Sequence, residues 1–328
     1  MKHPSANNAP LNQRGVSLIE LMIALLVGLL VVGGLLQVYL SSKQGYNAQE
    51  QLARMQESGR FGMDLITTDL RRSGYWGGSV SLPLLEQGNP GPVAPAHACV
   101  ADNSWGRMIR WRVSGRNNTN AGYGCAAGYD AAIASDILTL RYAGPNPVAP
   151  AYANGLYLRD NTESGAIMTG ATAGDPDNLP QPVAGDNVDP VVRALVSNAY
   201  YVGDSGRTCQ GGGAIPALMR VRLDPASGLP VAEEIASGVE RFEVLYLLDG
   251  AYVNAAAVDA AAGDGWMRVR AVRIWLLVRG ECPEQGLTDG GTYTLADAAP
   301  FTPNDNFRRQ LYVSTVMLRN TVVGDVVN

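Results

Sequence analysis

The feature that most constrains this chain is an apolar run near its amino end. Residues 16–40 contain a single charged side chain, Glu20, in twenty-five positions. A helix rises about 1.5 Å per residue, so a helix of this length exceeds the roughly 30 Å hydrocarbon core of a bilayer. The run therefore predicts a membrane-spanning helix.

Three interpretations of the run compete. A secretory signal peptide has a shorter apolar region followed by a small-x-small cleavage site, whereas residues 41–45 here are helix-like. A plain membrane anchor explains the length but not Glu20, because a carboxylate in the bilayer costs about 2.5–3.5 kcal/mol. Lys2 and Arg14 precede the run and all cysteines follow it, which places the amino end in the cytoplasm and the bulk of the chain outside.

The third interpretation rests on the residues around Gly15. Residues 14–21, Arg-Gly-Val-Ser-Leu-Ile-Glu-Leu, resemble the cleavage motif of type IV prepilins. This resemblance implies a membrane peptidase that cuts after Gly15 and then methylates the new amine of Val16. It also implies that Glu20 pairs with the Val16 amine of a neighbouring subunit, so that neither charge stays alone in an apolar bundle.

Two positions depart from the commonest pattern of that family. Val16 stands where phenylalanine is usual, and Gln37 stands where major pilins carry a proline that kinks the helix. Because the peptidase of the family demands the preceding glycine, cleavage after Gly15 is still expected.

The helix is expected to continue beyond the apolar run. Residues 41–72 contain no proline, and apolar side chains recur at helical spacing at positions 52, 55, 63, 66 and 70. Gly74 and the glycine pair at 77–78 would end the helix. The chain thus divides into a leader (1–15), a transmembrane and assembly half-helix (16–40), an amphipathic half-helix (41–72) and a head (73–328).

Further segments resemble one family of minor pilins, the PilW family. They are residues 37–44 (Gln-Val-Tyr-Leu-Ser-Ser-Lys-Gln), 52–61, 69–75 (Asp-Leu-Arg-Arg-Ser-Gly-Tyr) and 308–320. The resemblance implies an α+β, pilin-like fold, in which a long amino-terminal helix packs on a β-rich globular head.

The residues of the head themselves predict a β-rich domain. Apolar, β-branched and aromatic runs bounded by Gly, Pro, Asn and Asp predict strands at Met108–Ser114, Asp136–Tyr142, Val191–Val202, Leu218–Leu223, Glu240–Leu248, Arg268–Val278 and Gln310–Leu318. The segment at about 143–190 contains seven prolines and is predicted to be a loop-rich insertion.

The four cysteines indicate disulfides, because all of them lie on the exported side of the predicted span. Three pairings are possible. We favour Cys99 with Cys125 and Cys209 with Cys282, since nested or crossed pairings would tie distant parts of the chain together. Four buried free thiols are the alternative, and a zinc site is disfavoured because no C-x-x-C occurs.

The charge argues against direct binding of nucleic acid. The chain carries a net charge of −5, and removal of residues 1–15 takes away two basic residues and leaves −7. An acidic protein has no long-range attraction for DNA. Four arginines, at 107, 110, 112 and 116, come nearest to a basic patch and are interpreted as a solvated face.

An enzymatic head is also disfavoured. Residues 203–206, Gly-Asp-Ser-Gly, resemble the nucleophile loop of trypsin-like proteases, but a serine nucleophile needs a base. His97 is the one histidine after the predicted cleavage site and precedes Ser205, so a tight turn between strands is the preferred interpretation. Four acids in the insertion, Asp175, Asp177, Asp186 and Asp189, match no EF-hand spacing and predict a solvated loop. No cofactor is expected.

Three functions remain. The first is a minor pilin that primes a type IV pilus near its tip and acts in motility, adhesion or DNA uptake. It would contact the prepilin peptidase, other minor pilins, the major pilin and a tip adhesin, first in the inner membrane of a Gram-negative bacterium with the head in the periplasm and later in the extracellular filament. The second is a minor pseudopilin of the J type in type II secretion, and the third is an unrelated membrane-tethered binding protein.

Overall fold

The computed structural model describes residues 15–78, 88–133, 135–161, 164–178, 190–209, 211 and 213–320. The leader residues 1–14, with Lys2 and Arg14, and two of the acids considered for calcium, Asp186 and Asp189, lie outside these ranges. The chain divides into two compact units, residues 1–50 and 51–328. Each unit is described by itself.

One helix, α1, runs over Leu18–Arg72. It begins two residues after the start expected from the sequence and ends at the expected residue. Proline is absent throughout, and the first turn carries Glu20 while the last turn carries two arginines, charges that suit the helix dipole at both ends.

Within the second unit, one face of α1 is buried. Met55, Gly59, Gly62, Ile66 and Leu70 are spaced three or four residues apart and are all buried. The apolar pattern predicted three of these five positions. The two glycines could not be predicted from apolar periodicity, because they owe their burial to what packs on them.

The glycines let the sheet approach the helix closely. A Cβ on Gly59 would lie 2.2 Å from the Tyr312 ring, and a Cβ on Gly62 would lie 3.0 Å from the Leu218 side chain. No side chain can occupy the first position without moving Tyr312. These two residues therefore set the distance between α1 and the strands that carry Tyr312 and Leu218.

Two antiparallel sheets form the head. The first has seven strands in the order β1-β2-β5-β3-β4, with β6 paired to β5 and β7 paired to β6. Its strands are β1 (Val113–Arg116), β2 (Ile137–Pro147), β3 (Leu156–Asp160), β4 (Gly165–Thr169), β5 (Val191–Cys209), β6 (Gly213–Leu223) and β7 (Pro230–Ser237).

The second sheet has four strands in the order β11-β10-β8-β9. They are β8 (Val239–Leu248), β9 (Ala251–Val253), β10 (Ala271–Arg279) and β11 (Arg309–Met317), and two short helices, α2 (Ala255–Ala260) and α3 (Gly265–Arg268), connect β9 to β10. A core of apolar side chains from α1, β6, β8 and β10 includes Ile66, Leu218, Phe242 and Leu276. This arrangement confirms the α+β, pilin-like class expected from the sequence.

The proline-rich segment at 143–190 is only partly a loop. Strands β3 and β4 lie inside it and pair with each other, and β3 also pairs with β5. The prediction of a loop-rich insertion is therefore wrong for residues 156–160 and 165–169. Its prolines cluster at both ends and leave a proline-free stretch in the middle that is long enough for a hairpin.

Other strand boundaries shifted where charge or proline obscured the pattern. The predicted strand Met108–Ser114 is wrong in its first half, because regular pairing begins only at Val113. Arg268 belongs to α3 rather than to β10. Strand β7 was missed because it starts with proline and contains Glu233 and Glu234, yet Glu233 pairs across the ladder with Arg220 and Arg222.

Candidate functional site

The first candidate site is the start of α1, where Gly15, Val16 and Glu20 were singled out. Gly15 and Val16 precede the first helical turn, and Val16 is 72% exposed. A Cβ on Gly15 would meet nothing within 4 Å. Steric room therefore does not demand glycine there, and the requirement for glycine remains a prediction about the peptidase.

Ser17 and Glu20 form a reciprocal cap on this helix start. The Ser17 amide donates to Glu20 Oε2 at 3.0 Å, and the Glu20 amide donates to Ser17 Oγ at 3.2 Å. This is a capping box, in which two of the unpaired amides at a helix start are satisfied. Sequence reasoning missed the role of Ser17, although the S-x-x-E spacing is the signature of such a cap.

Both capping residues lie on the carboxyl side of the predicted cut after Gly15. The cap would thus be unchanged by removal of the leader. A carboxylate has about four lone-pair positions, so Glu20 can accept a further hydrogen bond while it caps its own helix.

The helix that follows presents a continuous apolar surface. Every described residue from 15 to 47 is exposed, including Leu25, Leu29 and Leu36. An 18-residue window of α1 reaches a mean hydropathy of 2.6, and the helix is long and apolar enough to cross a membrane. Because an exposed apolar patch of this size marks a membrane or protein contact, this half of α1 needs a partner outside the chain.

A buried carboxylate holds the other end of the helix. Asp69 is 3% exposed and accepts hydrogen bonds from the Tyr142 hydroxyl at 2.6 Å, Asn198 Nδ2 at 2.6 Å and the Tyr200 hydroxyl at 2.5 Å. We call this group the Asp69 latch. It joins α1 to β2 and β5 and satisfies a charge that would otherwise be costly to bury.

The tyrosines of the latch remain protonated donors. Burial raises the pKa of Tyr142 and of Tyr200, and the neighbouring Asp69 charge raises both further. Asp69 lies in one of the PilW-like segments, and its burial was not expected from the sequence. A lone acid on the apolar face of a predicted helix was the available signal.

The cysteines pair as the sequence favours. Cys99 is bonded to Cys125 and Cys209 to Cys282, each with Cα atoms 5.5 Å apart. The first bridge closes a loop within the region before β2. The second ties the end of β5 to the segment after β10 and so links the two sheets.

Loss of the second bridge is expected to cost more than loss of the first. The sequence separations are 26 and 73 residues, for which the loop-entropy model gives about 3.5 and about 4.4 kcal/mol. Paired Cys→Ser variants of the mature chain, compared by urea unfolding, measure the difference. Peptide mapping that found another pairing, or four alkylatable thiols in protein from its native compartment, would contradict the assignment.

Ser205 and His97 are engaged separately. The Ser205 hydroxyl donates to the carbonyl of Ile215 at 2.7 Å, whereas His97 Nε2 lies 2.7 Å from Asp259 Oδ1. The predicted turn between strands at residues 203–206 is wrong. These residues belong to β5, at an irregularity in its pairing with β6. Gly206 has a φ of +72°, the conformation that glycine permits at a bulge.

The remaining candidates have mostly structural contacts. Asp175 accepts from Asn89 Nδ2 at 3.0 Å, and no group of three or more His, Cys, Asp or Glu able to hold a metal occurs among the described residues. The interpretation of the four arginines as a solvated face is wrong for Arg112. This side chain is 4% exposed and donates to the Val269 carbonyl at 2.9 Å, and burial lowers its pKa to about 10.

Comparisons with known proteins bear on both ends of the chain. The family model described as type IV pilus-assembly protein W matches residues 199–320, and the model of the prokaryotic N-terminal methylation motif matches residues 10–36. Among solved structures, a type IV-like pilin from Thermus thermophilus is 16% identical, with 57% of this chain and 80% of that chain covered and a TM-score of 0.28. No curated protein matches the chain.

The methylation motif and the long apolar helix that follows it make the amino-terminal part of the chain similar to type IV pilins. The match to the second half of the head supports, within that class, a minor pilin of the PilW type. That match includes the segment 308–320 on which the sequence resemblance rested, whereas the PilW-like segments at 37–75 lie outside it.

Proposed function

We propose that this chain is a minor pilin that helps to prime assembly of a type IV pilus and that it sits near the filament tip. The observation that carries the proposal is the exposed apolar half of α1, which begins directly after the Gly15–Val16 bond with a charged cap. A helix of this kind can be stored in the inner membrane and later packed against the helices of other subunits.

Glu20 would act as the charge that selects a neighbour. After cleavage, Val16 carries a cationic amine, and in a bundle of apolar helices that amine needs an anion. Ser17 holds the Glu20 carboxylate at the helix start through the capping box, so the carboxylate is oriented before a neighbouring amine arrives. The partners under this proposal are the prepilin peptidase, sibling minor pilins, the major pilin and a tip adhesin.

Cleavage is the first test. Mass spectrometry of the mature protein is expected to find N-methylated Val16 as the first residue, and Gly15→Leu should leave full-length precursor in the membrane because a bulky side chain obstructs an extended backbone in a protease cleft. Recovery of an intact Met1, or of a cut beyond residue 35, would refute the pilin proposal. Ala9→Leu, in the same leader, is the matched control and should be processed normally.

A deletion strain separates the proposed function from its nearest alternative. Loss of surface pili with normal protein secretion is the expected result for a minor pilin of the pilus. Normal piliation with failed secretion would instead assign the chain to type II secretion, as a minor pseudopilin of the J type.

A further inference from the structure

A surface cavity in the head combines two indole rings with two carboxylates. It has a volume of about 270 Å³ and is lined by Trp111, Trp266, Asp259, Asp264 and Val258, together with two glycines at and just before the start of α3. We call it the Trp–Asp pocket. Trp111 comes from the segment just before β1, and the other residues come from α2, α3 and the turn between them.

Each carboxylate is fixed by an indole N–H group. Trp111 Nε1 donates to Asp264 Oδ1 at 2.9 Å, and Trp266 Nε1 donates to Asp259 Oδ1 at 2.7 Å. The Asp264 side chain is 26% exposed, and the Asp259 side chain is 31% exposed. His97 Nε2 also lies 2.7 Å from Asp259 Oδ1, and Arg110 Nε donates to Asp264 Oδ2 at 3.3 Å. A carboxylate has about four lone-pair positions, so each acid can still accept a further hydrogen bond from a ligand.

The rings form one continuous aromatic wall. The centroids of Trp111 and Trp266 are 6.1 Å apart, and His97 lies 5.0 Å from Trp111. Trp266 is almost fully buried, whereas Trp111 is half-buried and keeps part of its ring open. The face of an indole attracts cations more strongly than any other side-chain ring.

Charge in the pocket has one sign. Both charged side chains among the described lining residues are acids. Two arginines outside the lining pair with these acids, Arg110 at 3.3 Å from Asp264 Oδ2 and Arg116 at 3.6 Å from Asp259 Oδ2. A cationic ligand would compete with Arg110, whose side chain is 54% exposed. Burial lowers the pKa of His97, so this ring adds no positive charge at neutral pH.

We propose that the Trp–Asp pocket binds an organic cation, either the ammonium or guanidinium group of a side chain on another protein or a free alkylamine. The ligand would place its charge between the two carboxylates and its carbon atoms against Trp111. The combination of an aromatic wall with a few oriented polar groups is typical of a specific small-ligand site. The proposal is independent of the role of α1 in a filament.

The test uses the full mature chain in detergent and pairs each cation with its neutral isostere. Calorimetric titration with Nα-acetyl-lysine amide is compared with titration with its neutral isostere, Nα-acetyl-norleucine amide. Titration with choline is compared with titration with 3,3-dimethylbutan-1-ol. Saturable binding of a cation, at least about tenfold tighter than its isostere, is expected. A preference for the lysine amide would identify a protein side chain as the source, and a preference for choline would identify a small free ammonium compound.

A matched pair of variants locates the site. Asp264→Asn should weaken cation binding about tenfold or more, because it removes one of two charges and keeps an oxygen for Trp111. Asp249→Asn, an exposed acid outside the pocket that pairs with Arg268, should change it less than about twofold. Equal binding of cation and isostere by the unmodified chain, absence of saturable binding, or unchanged affinity in Asp264→Asn would overturn the proposal; the first two outcomes require no variant to fold.

Discussion

A chain carrying Glu20→Gln is expected to be cleaved and methylated normally but to fail in filament incorporation. The peptidase acts before assembly and reads Gly15, so processing should not depend on the carboxylate. In an assembled bundle the Val16 amine would lack its anion, and removal of one partner from a buried ion pair costs about 3–5 kcal/mol. That cost lowers the equilibrium constant for incorporation by more than about a hundredfold.

The capping box makes glutamine more informative than alanine at this position. Glutamine can replace glutamate in such a cap, so Glu20→Gln removes the charge and keeps the hydrogen bond to the Ser17 amide. Ser17→Ala does the reverse, because it removes the capping hydroxyl and leaves the carboxylate in place. Its expected cost is about 0.5–2 kcal/mol of local helix stability, without loss of incorporation.

The measurement is recovery of each variant with sibling minor pilins, together with a count of surface pili. If Glu20 acts through its charge, Glu20→Gln fails while Ser17→Ala assembles, and Glu20→Asp lies between them because its arm is shorter. Failure of Ser17→Ala alone would assign the role to capping. Normal piliation with Glu20→Gln would eliminate the pairing proposal.

Asp69→Ala is expected to destabilise the head by about 3–5 kcal/mol. It leaves the hydroxyls of Tyr142 and Tyr200 and the Asn198 amide as buried donors without their acceptor. Asp69→Asn should cost less, about 1–3 kcal/mol, because one side-chain oxygen remains as an acceptor. The new NH2 group of the asparagine, however, faces groups that are themselves donors. Because the pKa values of both tyrosines are raised, neither hydroxyl can lose its proton near neutral pH and so escape the cost of a buried donor without an acceptor.

Urea unfolding of the mature chain in detergent, followed by tryptophan fluorescence, measures the loss. Asp64→Ala is the matched control, since Asp64 lies five residues earlier on α1 and is exposed. Its expected change is within about 0.5 kcal/mol. Equal unfolding midpoints for the Asp69→Ala and Asp64→Ala chains would show that the latch contributes no net stability.

How much was predictable differs between the two ends of the chain. The span of α1 followed from local patterns, because helix formers, the absence of proline and apolar spacing all act within a few residues of one another. The Ser17 cap was equally readable from its spacing and was overlooked. The end of α1 at Arg72 agreed with the glycines that follow it.

In the head, local signals were outweighed by pairing partners. Strands β3 and β4 form between clusters of prolines because β5 offers an edge to which β3 can pair. The Gly-Asp-Ser-Gly segment is extended rather than turned because β6 continues alongside it, with Gly206 absorbing the irregularity. Strand formation depends on a neighbour distant in sequence, which no window of a few residues contains.

The sequence by itself determined the long apolar helix, the proposed cut after Gly15 and the expectation of disulfides, since each depends on residue type and order along a short stretch or on compartment. Only the tertiary structure decided which acids are held by hydrogen bonds from residues distant in sequence. Asp69 meets donors from two strands more than 70 residues away, and Asp264 meets Trp111 across 153 residues. Packing brings such groups together, and their chemistry exists only once the chain has folded around them.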